Sequence, residues 1–208
     1  MTGDERPRFA PVLEVARAIG GARARWAIHG GWALDLAAGA PSRRHEDVDV
    51  TVDASDASLV LDALARRGSR FAWVITGERT VRAARRPRGP PPEGAQQARI
   101  NLGHVRIDVV LEPWTPDAWR YRRDPRITLP LDRAVRRLTV EGVAVPFLAP
   151  EAVLLIKATR DGRGQPEPKD DADLALALPS LDAEARAWLS AALPTGHAWR
   201  KRLSLETN

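Results

Sequence analysis

A chain of 208 residues, 44% of them hydrophobic, is long enough for one domain, or for a catalytic domain with a helical appendage, and either buries a real core. No apolar run is long enough to cross a bilayer and residues 1–8 lack a signal-peptide core, so the cytoplasm is the expected location; with no cysteine and four histidines without zinc spacing, any metal must be held by oxygen. The formal net charge of +5 and a sequence pI near 10.5 admit nucleic acid as a partner.

Residues 12–20 carry Val12, Leu13, Val15, Ala16 and Ile19 at helical spacing before Gly20-Gly21, which predicts a helix packed on a sheet. Trp26–His29 reads as a strand and residues 31–38 as a helix stopped by Gly39, with Pro41 just beyond. At their junction Gly30 and Gly31 let the backbone approach a ligand closely, and the helix that follows offers free N–H groups and a positive dipole end, a seat for phosphate. Trp32 shares a helix face with Leu36 and suits either the core or a stacked base. The loop Ser42-Arg43-Arg44-His45 is basic; its arginines fit a β- or γ-phosphate, or an ordinary solvated loop. In residues 47–53, Val48, Val50 and Val52 alternate with Asp47, Asp49, Thr51 and Asp53, which predicts a strand with one apolar and one acidic face. Side chains two apart on one strand face stand about 6.5–7 Å apart at the root, so both carboxylates can converge on one divalent cation, for which Mg²⁺ is the natural candidate. Alone, Asp-x-Asp is often a solvated sheet face and Gly-Gly a plain turn; their order here points to a nucleoside triphosphate carried on metal.

Residues 55–67 read as a helix with Asp53 or Ser55 as cap, Leu59, Val60 and Leu64 as core positions and Gly68 as its stop. Strands are expected over 71–76 and 80–84 around Gly77-Glu78, and the proline-rich run 87–95 is a loop. Residues 98–102 and 105–111 form a hairpin about Gly103, with Arg106, Asp108 and Val110 on one face and Val105, Ile107 and Val109 on the other. The segment 112–121, with Trp114, Asp117, Trp119 and Tyr121, fits an acceptor-pocket lining or a packed loop. Residues 140–148 suggest a hairpin or edge strand about Glu141-Gly142. A helix then opens at Pro150 and runs to about residue 160, with Leu154, Leu155 and Ala158 on its apolar side. A bridge over 162–168 leads to a helix whose first turn is acidic, and the last helices cover 182–193 and 197–203. The fold class is α/β (α+β): a small mixed sheet flanked by helices, with a catalytic domain over 1–148 and a helical region over 149–208.

A strand ending in Gly-Gly, a helix, and then Asp-x-Asp on an alternating strand resembles the signature of the DNA polymerase β-like nucleotidyltransferase superfamily. More narrowly, His29-Gly30-Gly31-Trp32-Ala33-Leu34-Asp35, then Gly39, then Arg43-Arg44-His45-Glu46-Asp47-Val48-Asp49 resembles the aminoglycoside 2''-nucleotidyltransferase branch. The string Lys169-Asp170-Asp171-Ala172-Asp173-Leu174 is similar to the C-terminal part of that branch. The resemblance implies a nucleotidyltransferase fold and transfer of a nucleoside monophosphate, AMP from ATP, to an acceptor hydroxyl with release of pyrophosphate. It implies that Asp47 and Asp49 hold two Mg²⁺ ions and that Asp108 is a third acid, as metal ligand or as general base. Gly30 and Gly31 then seat phosphates beside Arg43 and Arg44. His45, which the branch also carries, holds a phosphate or orients a carboxylate. Lys157 corresponds to a triphosphate-contacting lysine of the superfamily, or is a snorkelling surface lysine. The implied acceptor is an aminoglycoside-like antibiotic. The branch places another acid soon after the third carboxylate; here Val109 and Val110 follow and the next acid is Glu112. Two other readings are a toxin-like nucleotidyltransferase acting on tRNA or protein, which the positive charge favours, and a non-catalytic nucleotide or nucleic-acid binding module, which the presence of all three acids opposes.

Overall fold

The computed structural model describes residues 8–67, 69–75, 81–84, 90–159, 166 and 168–204. Gly68, the turn at Gly77-Glu78, the start of the proline-rich run and most of the 162–168 bridge lie outside the described residues. The first helix, α1 (Ala10–Ile19), has proline in its first turn and buries Val12, Leu13, Val15, Ala16 and Ile19, the stripe expected from their spacing. Strand β1 (Trp26–His29) is buried along its whole length. It runs directly into α2 (Gly30–Ala38), which ends where Gly39 takes a φ of 77° and returns its N–H to the Leu36 carbonyl.

Strand β2 (Asp47–Asp53) has the predicted alternation: Val48, Val50 and Val52 are fully buried. Beyond it, Asp53 accepts from the Ser55 N–H at 3.0 Å and so caps a short 3₁₀ turn, Ala54–Asp56, rather than the helix itself. The helix, α3 (Ala57–Ala65), is shorter than expected at both ends and buries Ala57, Val60, Leu61 and Leu64. That stripe leaves Leu59 facing solvent at 46% exposure, so Leu61 takes the core place expected of Leu59.

Strands β3 (Ser69–Ile75) and β4 (Val81–Ala84) pair antiparallel, and β3 pairs with β5 (Ala95–Leu102), which forms the Gly103 hairpin with β6 (Val105–Glu112). Short strands β7 (Ala118–Arg120) and β8 (Thr128–Pro130) make a separate two-stranded sheet ahead of α4 (Leu131–Ala134). Strands β9 (Val135–Val140) and β10 (Val143–Leu148) turn through Glu141 and Gly142, whose φ values of 48° and 75° are both positive, as a two-residue hairpin loop requires. The order is β4-β3-β5-β6-β2-β1-β10-β9. The stretch 140–148 is therefore a hairpin's second strand and no edge: β10 pairs parallel with β1, and β9 takes the edge.

Helices α1 and α3 pack on each other and on β2. Helix α2 packs on β1, β2 and β10, and α5 (Pro150–Thr159) and α6 (Pro168–Ala177) close over it. Helices α7 (Ala183–Ala192) and α8 (Trp199–Ser204) follow, α7 on α5 and α8 on α7. Among the described residues no helix is long and apolar enough to cross a membrane. The mixed sheet flanked by helices matches the fold class read from the sequence, with more strands than a small sheet would have.

Ile28 pairs with Val50 on one side and Phe147 on the other, with no exposed surface. Ile28→Ala is expected to cost about 2–5 kcal/mol of unfolding free energy, read as a lowered denaturant midpoint at unchanged slope.

Candidate active site

Strand pairing assembles the acids. Asp49 lies opposite His29 of β1 on one side and opposite Asp108 of β6 on the other, and Asp108 in turn lies opposite Arg99 of β5. One row across four strands thus reads His29, Asp49, Asp108, Arg99, and in the row beside it Asp47 stands opposite Arg106. Residues in register on adjacent strands share a face, so the parallel β2–β6 pairing brings Asp108 beside Asp47 and Asp49, from which it is remote in sequence.

Such a cluster needs countercharge. Arg99 forms a two-pronged pair with Asp108, Nε to Oδ1 at 2.6 Å and Nη2 to Oδ2 at 3.0 Å, and Arg106 donates through Nη2 to Asp47 Oδ2. Asp49 lies between them. Burial first, then the charges of Asp47 and Asp108, raise its pKa from 3.8 to about 7, against the opposing pull of Lys157 and Arg106. His29 is pushed down to about 3 by burial, then by Lys157 and Arg122, so its imidazole is neutral at physiological pH.

The donor set is all oxygen and suits Mg²⁺ in kind. With Asp47 and Asp108 turned to guanidinium partners, no group of three His, Cys, Asp or Glu among the described residues is arranged around a common ion. A divalent cation would take over oxygens that Arg99 and Arg106 now engage.

The phosphate seat predicted at Gly30-Gly31 stands beside these acids. Gly30 has a φ of 67°, and a Cβ there would fall on Asp49 Oδ2. A Cβ on Gly31 would lie 2.5 Å from His45 Cε1 and 2.9 Å from Arg43 Nη2. Both glycines are thus demanded by close approach. A cleft of about 420 Å³ opens between Gly31 and Asp49, with Arg43, Arg44, Lys157 and Lys169 among its walls.

Buried acids hold several of these groups from behind. His45 sets Nε2 2.6 Å from Asp35 Oδ2, and Asp35, with no exposed surface, also accepts from the Ser42 hydroxyl at 2.6 Å. The carboxylate that His45 engages is therefore Asp35, outside the metal-strand acids. Trp32 packs on His45 with ring centroids 4.4 Å apart and planes tilted by 37°, and donates its indole N–H to the Asp47 carbonyl at 3.0 Å, which makes it core rather than a platform for a base. Lys157 does not snorkel: its side chain is 10% exposed, with Nζ 2.6 Å from Asp173 and 3.5 Å from Asp170. Asp173 also lies 3.8 Å from Arg43, so two acids of α6, Asp170 in its first turn and Asp173 beyond it, anchor cations of the cleft.

Sequence reasoning missed Asp35, Asp170 and Asp173 as supports, and Arg99 and Arg106 as partners of the acids. Asp35 closes the His29–Asp35 string that carries the resemblance and is a lone charge on an otherwise apolar helix, but neither signal names its partner. The aromatic segment proves to be packed: Trp114, Trp119 and Tyr121 are buried, and both indoles donate to Glu112, which also accepts from Thr51 at 2.7 Å. Burial pushes the Glu112 carboxyl up while these hydrogen bonds oppose it. A larger cleft, about 870 Å³, lies by Arg25, Trp26, Trp114 and Asp132 and includes none of the three acids.

Because the folded-state pKa of Asp49 is raised, the folded chain binds the extra proton between the unfolded and folded values. In chelator, stability should therefore fall as pH rises from about 4 to about 7, and Asp49→Asn should flatten that slope in denaturant titrations. Gly30→Ala should weaken nucleotide binding by displacing the Asp49 carboxylate, with Gly39→Ala, remote from the acids, as a control that lowers stability alone.

A family model described as aminoglycoside-2''-adenylyltransferase matches residues 11–176. No curated protein matches the chain. Among solved structures, the solution structure of the antibiotic-resistance factor ANT(2'')-Ia aligns with a TM-score of 0.58 at 18% identity, covering 92% of this chain and 90% of that one. A crystal structure of ANT(2'')-Ia in complex with adenylyl-2''-tobramycin aligns at 0.57 and 17% identity, covering 87% and 94%. The lincomycin-bound lincosamide antibiotic adenylyltransferase LnuA aligns at 0.57 and 13% identity, covering 82% and 96%. At such identities the structures speak for the fold, a nucleotidyltransferase fold, while the family model spans most of the chain. This chain belongs to the aminoglycoside-2''-adenylyltransferase family.

Proposed function

We propose that the chain is a Mg²⁺-dependent nucleotidyltransferase that moves AMP from ATP to a hydroxyl of a small antibiotic, aminoglycoside-like in its sugar hydroxyls, and releases pyrophosphate. The observation that carries this reading is the register of β2 against β6, which sets Asp47, Asp49 and Asp108 on one face beside the Gly30-Gly31 seat. The acceptor class follows the family description and the compounds named for ANT(2'')-Ia and LnuA.

In the transfer, the acceptor oxygen bonds to the α-phosphorus, the bond from that phosphorus to the bridging oxygen breaks, and pyrophosphate leaves with the electron pair. In this reading Asp108 serves as a metal ligand or receives the hydroxyl proton. Asp47, Asp49 and Asp108 would hold Mg²⁺, which would supply charge neutralisation for the transfer. Arg43, Arg44, Lys157 and Lys169 bind the phosphates, and His45, fixed by Asp35, faces the same turn. Close packing at Gly30 and Gly31 keeps the phosphates against the backbone amides of α2.

A second reading, nucleotidyl transfer to tRNA or protein, is favoured by the net charge of +5. Pyrophosphate release with each of the four nucleoside triphosphates, measured against aminoglycosides, lincosamides and total tRNA, separates the two. Turnover on a small antibiotic is expected, abolished in Asp47→Ala and lowered about 10²–10⁴-fold in Asp108→Asn with nucleotide binding retained. Turnover on tRNA alone moves the acceptor to the second reading, and full activity in Asp47→Ala rejects the chemistry.

A further inference from the structure

Both carboxylate oxygens of Asp108 are engaged by one side chain. Arg99 Nε donates to Oδ1 at 2.6 Å and Nη2 to Oδ2 at 3.0 Å, a fork that leaves neither oxygen without a cation. At Asp47, Oδ2 is taken by Nη2 of Arg106. Register sets both pairs: Arg99 of β5 lies opposite Asp108, and Arg106 of β6 lies opposite Asp47. The influence of each arginine reaches across the cluster. Hydrogen bonding to Asp108 raises the pKa of Arg99 first and, against burial, the charges of Asp108, Asp47 and Asp49 add to it. Arg106 is raised by its hydrogen bond to Asp47 and, against burial, by the charges of Asp47 and Asp108.

These are oxygens that the reading above gives to Mg²⁺, so guanidinium and divalent cation compete for them. For the ion to bind alone, three hydrogen bonds must break and two guanidiniums must be left beside a dication, with three carboxylates to offset them all. The exchange is open to both side chains, which are 43% and 41% exposed and can turn outward to water. Arg106 is the weaker holder: its Nε is buried with no hydrogen-bond partner among the described residues, whereas Arg99 commits two nitrogens to Asp108. A triphosphate shifts the balance, because it brings further negative charge to the site together with the metal.

We propose, on the basis of the functional reading above, that Arg99 and Arg106 are built-in competitors of the divalent cation, which keep the acids from binding bare metal tightly and make Mg²⁺ enter with the triphosphate. By linkage the triphosphate then tightens metal binding by the same factor that metal tightens triphosphate binding, and that factor is larger with the arginines than without them.

The test is Mn²⁺ binding to the full chain, read from the paramagnetic resonance signal of the free ion, without nucleotide and with a non-hydrolysable ATP analogue. In the wild type, bare Mn²⁺ is expected to bind at least about tenfold more weakly than Mn²⁺ with the analogue. Arg99→Gln and Arg106→Gln should each tighten bare Mn²⁺ about tenfold or more and shrink the difference that the analogue makes, while Arg99→Lys stays near the wild type. The two glutamine substitutions sit on different strands and each leaves an amide to hydrogen-bond the carboxylate, so either alone carries the test. Adding Asp47→Ala should abolish the gain, which ties it to the acids. Bare-ion affinity that is unchanged or weaker in the glutamine variants, or a gain that survives Asp47→Ala, overturns the proposal. Metal-dependent binding of the analogue is read in the same series: its absence in the wild type rejects the functional reading, while its presence beside unchanged bare-ion affinities rejects the role of the arginines alone.

Discussion

Mutual repulsion among Asp47, Asp49 and Asp108 is the constraint around which the other groups of the site are arranged. Two unit charges about 6 Å apart at an effective dielectric near 20 repel by about 3 kcal/mol, and here three carboxylates share one half-buried face. The fold answers in two ways. Two of the acids take guanidinium partners, Arg99 on Asp108 and Arg106 on Asp47, and the third, Asp49, has its pKa raised to about 7. His29, the remaining member of the row, is held neutral by burial and by Lys157 and Arg122, so it supplies no countercharge. A site assembled this way stores an affinity for cations that its own arginines only partly satisfy.

Around that cluster the cleft is stiffened by charges set behind it. Asp35, Asp170 and Asp173 are nearly or wholly buried, and each contacts a residue that lines the cleft: Asp35 holds His45, and Asp170 and Asp173 hold Lys157. A buried carboxylate left without a partner is expensive, so these contacts fix the positions of His45 and Lys157. The two glycines at the start of α2 complete the arrangement from the other side, where any side chain would collide with Asp49, His45 or Arg43.

How much of this was legible in the sequence follows from what kind of information each feature needs. The β2 strand was readable because valine and aspartate alternate with period two, and the α2 start because Gly-Gly is followed by an apolar helix ended by Gly39. Asp108 came from resemblance, since a single acid on a strand has no periodic signal. Arg99 and Arg106 were invisible for a different reason: their partners are set by the registers of β5 on β6 and of β6 on β2, and register is a tertiary property. The short strands β7 and β8, and β9 with its alternation of half-buried and exposed residues, carry too little apolar contrast to announce themselves. Leu59 shows the opposite error, an apolar residue expected in the core although the buried stripe of α3 runs through Ala57, Val60, Leu61 and Leu64.

The net charge of the chain acquires a local meaning from these pairings. Lys157 and Arg43, in the cleft beside Gly31, lie against acids of α6. Arg99 and Arg106 lie against Asp108 and Asp47, the acids proposed to hold the metal. The first set is held by a neighbouring helix; the second is paired within the acid cluster itself. A total of +5 conceals this division, because it averages over the surface and says nothing of which acid each cation shares.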